Sequence, residues 1–89
     1  MNNKQVAGAF ARGEKGKSNN MFINGDKIYS YGYHFTIAKR LPNNDFLFNS
    51  KKYSPTTAKH KNLVKRALEA IQATIIICED CDITKQVRA

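Results

Sequence analysis

The sequence lacks the segments by which proteins enter or cross membranes. Its longest apolar stretch, residues 73–78, is far shorter than the roughly 18 residues that span a bilayer. The first residues, Met-Asn-Asn-Lys-Gln, have no apolar core of the kind found in signal peptides. We therefore expect a cytoplasmic protein that makes no membrane contact.

Cysteine is scarce, and Cys78 and Cys81 are the two in the chain. Their Cys-x-x-Cys spacing occurs in zinc and redox sites, but a closed zinc site needs a complete ligand set, and the chain adds only His34 and His60. The two acidic residues between the cysteines disfavour the thiolate that a redox site requires. The sequence therefore predicts neither a metal nor another cofactor.

No catalytic constellation can be assembled from the sequence. The glycine-containing segment 13–16 lacks the spacing of a phosphate-binding P-loop and has no strand before it. His60 has no nucleophile or acid at a recognisable spacing, and we expect it to be half-buried and hydrogen-bonded to a loop carbonyl. We therefore predict that the protein is not an enzyme and acts by binding.

Acidic residues are few, so the chain carries a large net positive charge. Seven Asp and Glu stand against fifteen Lys and Arg, for a net charge of +8. Residues 1–66 hold thirteen of the basic residues and three of the acidic ones. Such a field favours an anionic partner, of which nucleic acid is the first candidate and an acidic protein surface the second. A basic surface that serves only solubility is the remaining interpretation.

Local patterns predict one small α+β domain over residues 1–89. A short helix over residues 3–11 is ended by Gly13, and a polar loop follows. Asn24-Gly25 predicts a tight hairpin in an antiparallel meander of three or four strands. The predicted strands cover residues 21–23, 27–31, 33–41 and 46–48.

A long amphipathic helix is predicted over residues 55–74. Ser54 is a favourable N-cap and Pro55 a favourable first residue. Its apolar stripe consists of Leu63, Val64, Ala67, Leu68, Ile71 and Ile75, and packs on the sheet. The β-branched run 75–77 either ends the helix or pairs as an edge strand. The polar residues 82–89 are expected to form a disordered tail.

Three segments together carry a resemblance to a known group of proteins. These are Ile28-Tyr-Ser-Tyr-Gly32, Ile37-Ala-Lys-Arg40 and Tyr53-Ser-Pro-Thr-Thr-Ala-Lys-His60. They resemble a family of short uncharacterised bacteriophage and mobile-element proteins, with a Tyr-Ser-Tyr strand and a Tyr-Ser-x-Thr-Thr-x-Lys-His entry into the last helix. The resemblance covers about residues 10–68 and departs at Pro55 and in the Cys-x-x-Cys tail. It implies a phage origin and a site of action in the host cytoplasm, and it implies no activity.

The predicted contact surface combines lysines with the start of the long helix. Helix N-termini bind phosphate through unpaired N–H groups, so Ser54 and Thr57 either hold an anion or only cap the helix. Aromatic residues between 29 and 35 could stack bases, although we expect them in the core. The candidate contact residues are Lys15, Lys17, Lys39, Arg40, Lys51, Lys52, Ser54, Thr57, Lys59, Lys61, Lys65 and Arg66.

Two functions follow from this surface. The first is a phage accessory protein whose basic face binds nucleic acid or a host nucleoprotein complex. The alternative is an anti-CRISPR-like inhibitor that binds an acidic surface of a host-defence protein. Phosphate-dominated binding weakens steeply as salt rises, whereas a packed protein interface changes less.

The interpretation of the cysteines can be tested directly. Replacing both Cys78 and Cys81 with Ser should leave folding and binding nearly unchanged, because we predict neither a metal site nor a redox pair. The measurement is the zinc content and thermal unfolding of both proteins, purified without added metal. Stoichiometric zinc in the parent chain that disappears in the double variant would contradict this prediction.

Overall fold

The computed structural model describes residues 1–31, 35–51 and 54–78. Its elements are α1 (Asn3–Ala11), β1 (Met21–Asn24), β2 (Lys27–Ser30), β3 (Phe35–Leu41), β4 (Asp45–Asn49), α2 (Pro55–Ala70) and β5 (Thr74–Cys78). A short 3-10 turn, Pro42–Asn44, joins β3 to β4. The α+β class, the N-terminal helix and the long helix on the sheet are thus confirmed. The predicted tail at 82–89, Cys81 and His34 lie outside the described residues.

The sheet has five strands in the order β1-β2-β3-β4-β5. Neighbouring strands are antiparallel from β1 to β4, whereas β5 pairs parallel to β4, with Phe46 opposite Ile75. The prediction of a pure antiparallel meander with three or four strands is therefore wrong. The reason is that α2 carries the chain back along the sheet, so β5 enters in the same direction as β4.

The hairpin between β1 and β2 forms at the predicted place but turns one residue later. Asn24 pairs with Lys27, which leaves Gly25 and Asp26 as the loop. Gly25 takes a positive φ of 64°. Glycine adopts this conformation without the Cβ penalty that other residues meet, so it suits the first loop position.

Both helices end in the same hydrogen-bonding motif, but only one end was predicted. At α1, Gly13 has a φ of +77° and the Glu14 N–H donates to the Ala9 carbonyl. At α2, Gln72 has a φ of 57° and the Ala73 N–H donates to the Leu68 carbonyl. These are Schellman ends, in which the left-handed residue is usually glycine. The predicted extension of α2 to residue 74 is wrong because glutamine carries no such signal.

The core lies between one face of the sheet and the two helices. Val6 and Phe10 of α1, Val64 and Leu68 of α2 and the strands share one apolar cluster. The cluster takes from the strands Met21, Ile28, Phe35, Ile37, Ala38, Phe46 and Phe48. We call this the inner face, and the side that carries Phe22, Tyr29 and Lys39 the outer face. No helix in the described part of the chain has the length and apolar character of a membrane span.

The packing of α2 gives a stability prediction. Leu68 is fully buried, so Leu68→Ala should lower the free energy of unfolding by roughly 2–5 kcal/mol. The measurement is urea unfolding followed by circular dichroism, with the exposed Lys65→Ala as the control, for which we expect a change within about 0.5 kcal/mol. An equally small change in Leu68→Ala would contradict the packing described here.

Candidate nucleic-acid interface

The structure separates the predicted basic residues into groups that face different directions. Lys15, Lys17 and Arg40 line one cleft between the loop after α1 and the β1–β2 hairpin. Lys51 and Lys61 meet at the start of α2. Arg66 lies in a groove between the two helices, and Lys59 and Lys65 are exposed on α2. Lys52 lies outside the described residues.

The first of these sites, which we call the loop–hairpin cleft, has a volume of about 950 Å³. Its walls are the loop 13–18, residues 22–25 of the hairpin, Phe10 and Arg40. Lys15 and Lys17 are exposed on the loop, and the half-buried Phe22 is also part of the lining. The cleft thus combines cationic side chains with an aromatic surface.

Backbone hydrogen bonds hold the second half of the loop against β1. The Ile23 N–H donates to the Gly16 carbonyl at 3.0 Å, and the Ser18 N–H donates to the Met21 carbonyl at 2.7 Å. Lys17 therefore pairs with Phe22 as an isolated antiparallel bridge. The sequence predicted a polar loop after α1, and the second half of this loop is an extension of the sheet.

This pairing aligns a cation with two stacked rings on the outer face. Residues directly opposite in antiparallel strands share a face, so Lys17, Phe22 and Tyr29 form a row. The rings of Phe22 and Tyr29 stack with centroids 5.0 Å apart and planes 16° apart. Phe35 is in the core as expected, whereas the same expectation for Tyr31 is wrong, because Tyr31 is 41% exposed. Tyr33 lies outside the described residues.

Arg40 places a fixed positive charge at the base of the cleft. Its guanidinium lies 4.9 Å from the centroid of Phe46 and 5.5 Å from that of Phe10. It also donates a hydrogen bond to the Phe10 carbonyl near the end of α1. The faces of aromatic rings and the C-terminus of a helix both attract a cation, so this environment stabilises the charge of Arg40. The guanidinium has five N–H groups, and those not bonded to Phe10 can donate to a ligand.

Lys39 is adjacent to Arg40 in sequence but lies in a different environment. It is on the outer face, is 8% exposed, and its Nζ is 3.9 Å from Asp26 Oδ2. Successive residues of a strand point to opposite faces, which separates the two cations. Lys39 is not among the residues that line the cleft, so the structure does not bring it there.

The hydroxyls at the start of α2 are engaged in capping. Ser54 Oγ accepts the Thr57 N–H at 3.1 Å and donates to Thr57 Oγ1 at 3.0 Å. Thr57 is fully buried, so it does not face a ligand at the surface. Of the two interpretations of this segment, the geometry shows the capping arrangement.

Lys61 and Lys51 lie close together beside the capping residues of α2. Lys61 Nζ donates to the Lys51 carbonyl at 2.9 Å and lies 5.7 Å from the centroid of Phe48. Lys65 is one turn further along the same flank, whereas Lys59 and Arg66 share another stripe seven residues apart. The basic residues of α2 therefore do not form a single face.

A model of one protein family matches residues 4–79, a range that runs from the second residue of α1 to beyond the end of β5. The family is described as Family of unknown function (DUF8033). The chain belongs to this family. No curated protein and no solved structure matches the chain. The family description names neither a source nor an activity, so the phage origin expected from the sequence stays a prediction.

The DUF8033 fold buries a polar network that sequence reasoning missed. His60 is 2% exposed, and its Nδ1 lies 2.7 Å from Ser30 Oγ, which is 3.3 Å from Thr57 Oγ1. His60 was expected to be half-buried with a loop carbonyl as partner, and its partner is instead a strand hydroxyl. Local patterns carry no signal for this pair, because Ser30 meets His60 only through the packing of α2 on β2.

The buried network does not present a nucleophile to a substrate. A hydrogen-bonded serine and histidine resemble part of a catalytic dyad, but Ser30 is fully buried. Among the described residues, no group of three or more His, Cys, Asp or Glu could hold a metal ion. The second cysteine of the Cys-x-x-Cys pair is outside them, so the metal prediction stays a prediction.

The burial of His60 gives a pH prediction for this DUF8033 member. Desolvation lowers the pKa of His60 below its ordinary value, because burial penalises the charged imidazole. The unfolded chain then binds the proton more readily than the folded one. The contribution of neutral His60 to the free energy of unfolding is therefore complete above the pKa of about 6.5 that this histidine has in the unfolded chain. It is lost as pH falls through the lower pKa of His60 in the folded protein.

The measurement is the free energy of unfolding between about pH 7.5 and pH 5. We expect it to fall toward acid in the parent protein and in His34→Gln, with a much weaker dependence in His60→Gln. The same acid dependence in His60→Gln and in the parent would show that other groups cause it.

Proposed function

We propose that this protein binds nucleic acid and that the loop–hairpin cleft is the main contact. One observation carries this proposal. Lys15 and Lys17 of the loop and Arg40 of β3 line a single cleft, and the aromatic residues Phe10 and Phe22 line it as well. Arg40 is far from this loop in the chain, and the fold brings it to the same cleft.

The chemistry of the cleft suits a nucleotide of a single strand. Lysines act as point charges toward phosphate, and an arginine guanidinium can bind phosphate through two N–H groups. An aromatic ring offers a stacking surface to a base, which is exposed in single strands and covered in duplexes. The volume of about 950 Å³ is within the range of about 300–1,000 Å³ of small-ligand sites.

The charge around the cleft supports the same function. The described residues include twelve Lys and Arg and four Asp and Glu. Two of the four acidic residues, Glu14 and Asp26, already pair with Arg12 and Lys39. A surface with this excess attracts a polyanion and releases its counterions on binding.

A phage accessory role in the host cytoplasm is part of this proposal and comes from the sequence resemblance. The target would then be single-stranded nucleic acid or a host nucleoprotein that displays it. The alternative, an anti-CRISPR-like inhibitor, requires tight capture of a host protein that persists after nuclease treatment.

A charge-neutral double variant tests the cleft. Lys15→Gln with Lys17→Gln should weaken binding to a labelled oligonucleotide on the order of tenfold at about 0.1 M salt. It should make the dependence of log affinity on log salt shallower by about 2 units, because two phosphate contacts are removed. The measurement is fluorescence anisotropy over a salt series, with single-stranded and duplex oligonucleotides compared.

The matched control is Lys59→Gln with Lys65→Gln, which removes the same charge from exposed positions of α2. We expect it to change the affinity by less than about threefold, because these lysines lie outside the cleft. Equal losses in the two double variants would mean that general charge, and not the cleft, governs binding. A parent protein that binds neither single strands nor duplexes at about 0.1 M salt would contradict the proposed function.

A further inference from the structure

A second surface lies on the side of the helices that faces away from the sheet. It is a groove of about 750 Å³ between α1 and α2, and we call it the interhelix groove. Its floor is apolar and is built from small residues of α1, Gly8 and Ala11, facing a stripe of α2. That stripe consists of Leu63, Ala67 and Ile71, which are spaced four residues apart.

The floor residues of α2 are only partly covered by the rest of the protein. Leu63, Ala67 and Ile71 pack against the core, yet each remains half-buried. On the α1 side, Gly8 has no side chain and Ala11 has only a methyl group, so neither residue projects far into the groove. The half-buried stripe of α2 therefore gives the groove an apolar strip on which a further helix could pack between the first two.

The rim of the groove carries only positive charge among the described residues that line it. Lys4, Arg12 and Arg66 are exposed there, and no Asp or Glu is part of the described lining. Arg12 lies close over Gly8, since a Cβ built on Gly8 would be 3.1 Å from Arg12 Nη1. Arg12 also pairs with Glu14 at 3.0 Å, so Lys4 and Arg66 supply most of the uncompensated charge.

We infer that the interhelix groove docks an acidic amphipathic helix of a partner protein. The apolar strip would receive the i, i+4, i+7 side chains of that helix, and Lys4 and Arg66 would face carboxylates on its flanks. Apolar burial supplies the affinity of such a contact, and the cationic rim selects the sign and the orientation of the partner.

The apolar floor distinguishes this surface from the nucleic-acid site proposed above. A phosphate backbone has no apolar strip to bury, whereas an amphipathic helix has one of matching period. The loop–hairpin cleft and the interhelix groove share no residue among their described linings. The two proposals can therefore be tested independently. If both hold, this protein brings a nucleic acid and a partner protein together.

The test uses two synthetic peptides of about 18 residues that share one leucine face. The acidic peptide carries Glu on both flanks of that face, and the basic peptide carries Lys at the same positions. We expect the parent chain to bind the acidic peptide at least about tenfold more tightly, as measured by fluorescence anisotropy. Amide resonances of Gly8 and Ala67 should shift on titration.

Adjacent charge reversals on α2 provide the matched control. Arg66→Glu should weaken binding of the acidic peptide about tenfold and strengthen binding of the basic one, because a rim cation becomes an anion. Lys65→Glu makes the same charge change one residue away, outside the groove lining, and should alter either affinity by less than about threefold. Both positions are exposed, and circular dichroism checks that both variants are folded.

Several outcomes would overturn this inference. The first is that the acidic peptide does not bind at about 1 mM, and the second is that the two peptides bind with equal affinity. The third is that Arg66→Glu and Lys65→Glu change the peptide affinities equally. The fourth is that the peptide shifts amide resonances only in the loop–hairpin cleft. Acidic-peptide binding that is retained in Lys15→Gln with Lys17→Gln supports it, whereas loss in that variant would place the peptide in the cleft. Self-association of the chain that blocks the peptide would also contradict it.

Discussion

The contact between Phe10 and Phe46 joins the first helix to β4, an interior strand of the sheet, and much of the molecule is arranged around it. The rings meet edge to face with centroids 5.5 Å apart, and Arg40 lies against both. Because Arg40 also binds the Phe10 carbonyl, the end of α1 is held over the start of β4. The following loop must then return along β1, and the cleft forms beside it.

The second constraint is that both helices cover the same face of the sheet. α2 leaves the end of β4 and returns the chain to its start, so β5 pairs in parallel and α2 lies beside α1. Two helices on one face bury a single core and leave a groove between their outer sides. Placed on opposite faces, they would not share a groove.

These two constraints divide the positive charge of the chain between surfaces of different chemistry. In the loop–hairpin cleft, cations surround an aromatic wall, which suits a phosphate and a base. In the interhelix groove, cations border an apolar strip, which suits a helix with acidic flanks. Lys39 and Lys61 belong to neither, because one pairs with Asp26 and the other packs on core rings.

The sequence by itself determined the classes of α1, α2 and the first four strands, the excess of positive charge and the residues that begin and end α1 and begin α2. Ser54 and Gly13 act within one turn of the chain, so their patterns are readable locally. Only the tertiary structure decided that Gln72 ends α2, that β5 runs parallel, and that Ser30 meets His60. Such contacts depend on strand register and helix docking, which arise from packing across the whole core and leave no local pattern in the chain.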